Sequence, residues 1–68
     1  MYNLYWPCAL MLNKRGEVEN LFTYGPSNSL EKAKDQIALW RDGYGFNITE
    51  SWIDVYDGDQ KIKTIKEE

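Results

Sequence analysis

The chain has 68 residues, with eight basic and eleven acidic side chains and a net charge of −3 at pH 7. A chain of this length makes one domain, exposing about 4,500 Å² when folded against about 11,600 Å² unfolded, so its core is small and self-association would stabilise it. No histidine and a single cysteine exclude His-based triads, structural zinc sites and an intramolecular disulfide, while 43% hydrophobic and 15% aromatic residues exclude intrinsic disorder.

The longest apolar run, Tyr2 to Leu12, is about half the roughly 20 residues that a membrane-spanning helix needs, contains Pro7, and lacks a basic leader. It reads as a strand of a cytoplasmic protein. Asn13-Lys14-Arg15-Gly16 has the form of a type I turn closed by a left-handed glycine, the G1-bulge hairpin loop. Setting Asn13 opposite Glu17 pairs Leu12 with Val18, Leu10 with Asn20, Cys8 with Phe22 and Trp6 with Tyr24. Nearly every large apolar residue of the hairpin then lies on one face, which is the expected core side. The opposite face carries Tyr5, Pro7, Ala9 and Met11, with Glu17, Glu19, Leu21 and Thr23.

Gly25-Pro26-Ser27-Asn28-Ser29 is a breaker followed by capping residues, so a helix begins there. Leu30, Ala33, Ile37, Trp40 and Tyr44 recur at spacings of three and four and form one stripe, with Leu39 on the far side. Gly43 and Gly45 supply the chain reversal, ending the helix near Asp42. Phe46 to Tyr56 is rich in β-branched and aromatic residues, and Asp57-Gly58 signals a tight turn before Gln60 to Lys66. A two-residue loop pairs Ile53 with Ile62 and Asp54 with Lys61. A four-residue loop pairs Val55 with Ile62 and Asp54 with Lys63, and both are chemically sensible. Phe46 and Ile48 have one parity while Ile53 and Val55 have the other, which a β-bulge near Ser51 would reconcile.

The result is a single α+β domain over 1–68: a hairpin at 2–24, a helix at 29–42 and a hairpin at 46–66, with a frayed tail at Lys66-Glu67-Glu68. It predicts a four-stranded antiparallel sheet of β-β-α-β-β order with the helix on one face. One helix covers only one side of such a sheet. The uncovered side is expected to carry Tyr5, Met11 and Leu21, joined by Trp52 and Tyr56 if Ile53 and Val55 point inward. An apolar patch of this kind, rimmed by charge, marks a contact with a protein partner or with a second copy of the chain.

Other features point to less. Cys8 has no basic neighbour in sequence to depress its pKa and reads as a buried, inert thiol. Asn47-Ile48-Thr49 matches a glycosylation sequon, but with no secretion signal it is a chance match. Asp54, Asp57 and Asp59 lack the ligand spacing and central glycine of a calcium loop, so no metal or cofactor is expected. No carboxylate pair is marked for acid/base work, which predicts a non-enzymatic protein. Lys14, Arg15, Lys61 and Lys63 offer the alternative of a basic strip for a nucleic-acid-associated regulator. The net negative charge argues against that reading, and edge protection is the simpler account of the strand lysines.

The helix opening Ser29-Leu30-Glu31-Lys32-Ala33, the Gly43-Tyr44-Gly45 break and the strand Ser51-Trp52-Ile53-Asp54-Val55-Tyr56 before Asp57-Gly58 resemble those of small uncharacterised prophage and mobile-element proteins of Gram-positive bacteria. The resemblance carries no catalytic or binding residue. It implies an accessory role, with the chain associating with itself as a homodimer or binding a host protein.

Overall fold

The computed structural model describes residues 3–67. Its elements run β1 (Asn3–Leu12), β2 (Val18–Leu21), α1 (Leu30–Ala38), a π-turn (Leu39–Gly43), β3 (Asn47–Asp57) and β4 (Gln60–Glu67). This is the predicted α+β arrangement. The strands form one antiparallel sheet in the order β2-β1-β3-β4, with α1 against a single face. The long central pair, β1 and β3, comes from different hairpins. Of the expected hairpin and tail residues, Tyr2 and Glu68 lie outside the described part.

The first turn forms as its sequence requires. Asn13 accepts from the Gly16 amide at 3.0 Å and donates its own amide to the Glu17 carbonyl at 2.8 Å, with Gly16 at φ +80°. Its side-chain oxygen also accepts from the amides of Arg15 and Glu17. Leu12 opposes Val18 and Leu10 opposes Asn20, as read from the sequence.

The hairpin is nevertheless shorter than expected. The pairings Cys8 with Phe22 and Trp6 with Tyr24 do not form. Continuing the register would set Pro7 against Thr23, and proline has no N–H to give to a neighbouring strand. The chain leaves the sheet after Leu21 and returns at Ser27, which exchanges both backbone bonds with Tyr5 at 2.9 and 2.7 Å. Phe22 and Tyr24 are exposed as a result.

Ser29 caps α1 in extended conformation, its hydroxyl accepting from the Lys32 amide at 3.2 Å. The regular helix ends at Ala38, four residues short of the expected Asp42, and continues as the π-turn. There the Tyr44 amide reaches back five residues to the Leu39 carbonyl at 2.9 Å. The wider turn breaks the 100° spacing. Leu30, Ala33, Ile37 and Trp40 keep to the core stripe, whereas Tyr44 is turned out to 64% exposure and stacks on Phe46 at 5.3 Å.

Two bulges set the second half. Leu10 opposes Glu50 and Met11 opposes Ile48, so Thr49 is the extra residue, close to the position that the parity break near Ser51 implies. In the second hairpin Asp57 opposes Gln60 across Gly58-Asp59, with Gly58 at φ +66°. A left-handed glycine at the first position suits a tight two-residue turn. The pairing then slips by one between Val55 and Tyr56, leaving Ile62 unpaired. Neither register considered from the sequence survives this slip. Val55 faces Lys63, Asp54 faces Thr64 and Ile53 faces Ile65.

The core consists of Ala9, Ala33, Ile37, Trp40, Ile53 and Val55, with Pro7 also fully buried. We expect Ile53→Ala to cost about 2–5 kcal/mol in urea unfolding, through the lost transfer energy and the cavity it leaves. Ser29→Ala should cost about 1 kcal/mol by removing the cap.

Candidate functional site

Cross-strand partners share a sheet face, so the register sorts every strand residue onto the helix side or the open side. The helix side carries Tyr5, Pro7, Ala9 and Met11 of β1, Leu21 of β2, and Ile48, Ser51, Ile53 and Val55 of β3. Tyr5 and Leu21 pack against the core there. This corrects the sequence-based placement of Tyr5, Met11 and Leu21 on the uncovered face. The cause lies in β3, whose Ile53 and Val55 are apolar where Asp54 and Glu50 are charged, and β1 follows through its register with β3. The bulkier row of β1 is left on the other side.

That open side carries Leu4, Trp6, Cys8, Leu10 and Leu12 along β1, flanked on β3 by Tyr56, Asp54, Trp52 and Glu50. Trp52 and Tyr56 therefore lie opposite the helix, because Ile53 and Val55 point inward. Leu4, Trp6, Cys8, Leu10, Leu12, Trp52 and Tyr56 are all half-buried, and among the described residues no further layer covers them. Leu4, Trp6, Cys8, Leu10 and Leu12 are the members that sequence reading missed, the last four being expected on the core side. The available signal was the unbroken apolar run of β1, which marks a strand with no polar face.

The charged strand residues of the open side are already paired. Asp54 accepts from the Thr64 hydroxyl at 2.9 Å and holds the Lys61 ammonium at 3.6 Å; its other oxygen accepts the Cys8 thiol at 3.8 Å. Glu50 holds Lys66 at 3.6 Å, and the Lys66 ammonium lies 6.0 Å from the Trp52 ring centroid. Among the described strand residues, the register thus gives this side two carboxylates and two ammonium groups, which cancel.

Cys8 is half-buried rather than fully buried. Burial, then the Asp54 charge and hydrogen bond, push its thiol up from 9.0 to about 11, against a smaller opposing effect of Lys61. At neutral pH it is protonated and a poor nucleophile.

The four basic residues of the alternative reading do not converge. Lys14 and Arg15 sit in the β1–β2 turn, whereas Lys61 and Lys63 lie beside Tyr56 and Val55 at the other end of the sheet. The eight steps along β1 from Leu4 to Leu12 separate the two ends by about 26 Å. Lys61 shares the open side with Tyr56, and Lys63 shares the helix side with Val55. Asp54 and Asp57 likewise fall on opposite faces, Asp57 opposing Asn3. Among the described residues, no three His, Cys, Asp or Glu side chains gather as a metal site. No described helix is long and apolar enough to cross a membrane.

An open recess of about 480 Å³ lies at the turn end of the sheet, between Met11, Lys14, Tyr44 and Phe46. Asn13, which also lines it, spends its side chain on the turn and on Glu17 and Glu19. Comparison of the chain with family models, with curated proteins and with solved structures finds no match in any of the three.

The thiol gives a test of the face's electrostatics. Above pH 9 the unfolded chain releases a proton that the folded chain retains. The stability that Cys8 contributes is therefore complete below pH 9 and is lost as pH rises through about 11. Asp54→Asn should lower the thiol pKa and speed iodoacetamide labelling at pH 8.5 several-fold, about the effect of a partial reversal of the shift. An unchanged rate would remove Asp54 from the account.

Proposed function

We propose that this chain is a non-enzymatic, cytoplasmic protein-interaction module that binds through the open side of its sheet. The observation that carries the reading is the row Leu4, Trp6, Leu10, Trp52 and Tyr56 lying on the face without a helix. Aromatic side chains are enriched at interface cores, and contiguous apolar patches seldom stay exposed on monomers.

The shape of the domain supports the reading. Its accessible surface of 4,980 Å² exceeds the figure for a compact chain of this mass by roughly 500 Å². Its radius of gyration of 12.2 Å likewise exceeds the roughly 10.9 Å of a closed domain. Both go with an elongated shape of 42 × 22 × 20 Å, in which one broad surface of the sheet lies open. A small binding module of this type suits the accessory, host-modulating role that the resemblance to mobile-element proteins implies.

The double variant Trp6→Ser, Trp52→Ser should lose association, whether with itself or with a protein captured on the immobilised wild type. In dilute solution each of these substitutions should cost about 1 kcal/mol in urea unfolding, against about 3–5 kcal/mol for Trp40→Ala in the core. A double variant that still associates like the wild type would sink the proposal.

A further inference from the structure

We infer that the partner of the open side is a second copy of this chain, packed face to face about a two-fold axis into an eight-stranded sandwich. The inference rests on the reading of this face as an interaction surface and names its occupant.

Charge is the first argument. A two-fold contact sets each face against a duplicate of itself, so any net charge on it is met by its own sign. The chain carries −3 overall, yet its open side balances Glu50 and Asp54 against Lys66 and Lys61, each already in an ion pair within the face. A surface kept neutral on an acidic protein can meet itself without repulsion. A basic partner would instead favour an acidic face, and an acidic partner a basic one.

Geometry is the second. Both sheet edges resist strand addition. β4 carries the bulge at Ile62 and lysines at 61, 63 and 66, which are ordinary edge-blocking devices. On the other edge β2 is only four residues long, and the β1 backbone beyond it contains Pro7, which has no N–H to donate. Association through backbone pairing is thus hindered, and the broad face remains.

Area is the third. About 33 strand residues, each covering about 16 Å² of sheet, give roughly 530 Å² per copy. Two copies bury about 1,100 Å², just above the roughly 1,000 Å² that a specific contact needs, which places the dimer among weak, micromolar assemblies. Sheets packed in this way lie about 10 Å apart, enough for one interdigitated layer of Trp6, Leu10, Trp52 and Tyr56.

The experiment is sedimentation velocity of the full chain from roughly 1 to 500 µM, spanning the affinity range of weak dimers. The expected result is a shift from one to two chain masses, with tagged and untagged copies forming a mixed dimer. Iodide should quench tryptophan fluorescence more strongly on dilution, as Trp6 and Trp52 become free. Trp52→Lys places two unpaired charges in each dimer and should weaken association at least about tenfold while the fold is kept. Leu10→Lys is the second variant should that one fail to fold.

A wild type that stays monomeric across the range overturns the second-copy inference. The reading of the face as an interaction surface then stands only if Trp6→Ser, Trp52→Ser abolishes binding to another protein. A dimer that withstands both lysine substitutions assembles through other residues and overturns both.

Discussion

The contact between α1 and the sheet face that carries Ile53 and Val55 governs the rest of this structure. Ala33 is fully buried, and across from it Ala9 and Pro7 leave no bulk to hold the layers apart. Ile37 and Trp40 from the helix side and Ile53 and Val55 from β3 then close around that contact. Were the helix to sit on the opposite side, it would cover Asp54 and Glu50 along with Trp6, Leu10 and Trp52, and so bury two carboxylates. The alternation of β3 thus selects the face, and the larger apolar row of β1 is left without a cover.

Once that face is chosen, single residues at the margins keep the strands in step. Pro7 ends the first hairpin pairing because it has no donor for a β2 partner. The extra Thr49 turns Ile48 back to the side of Ile53, and its hydroxyl bonds to the Leu10 carbonyl at 3.3 Å. The extra Ile62 brings Ile65 opposite Ile53 and Thr64 opposite Asp54. Each bulge changes the face of every residue beyond it, since a shift of one residue carries a strand's side chains to the other side. On the open side this arithmetic surrounds Asp54 with Thr64, Lys61 and Cys8. That company satisfies the carboxylate, whose charge adds to burial in keeping the Cys8 thiol protonated against the opposing effect of Lys61.

The α+β class, the β-β-α-β-β order, the Asn13–Gly16 turn and a helix cap at Asn28 or Ser29 were legible in the chain because each rests on local chemistry. A left-handed glycine, a side-chain acceptor before a helical stripe and a run of β-branched residues act over a few positions, and no distant contact is needed to read them. The same local reasoning reached Trp52 and Tyr56 through the alternation of Ile53 and Val55, and it required the bulge that Thr49 supplies.

Tertiary structure alone decided which side of β1 is covered. Tyr5, Pro7, Ala9 and Met11 on one side and Leu4, Trp6, Cys8 and Leu10 on the other are both apolar, so alternation in that strand carries no sign. The pairing of β1 with β3, a strand of the other hairpin, sets the side, because β3 turns Ile48, Ile53 and Val55 to the helix and Glu50 and Asp54 away from it. The slip at Ile62 and the π-turn that releases Tyr44 have the same character. Each depends on how far apart two elements lie after docking, a distance that no stretch of sequence specifies by itself.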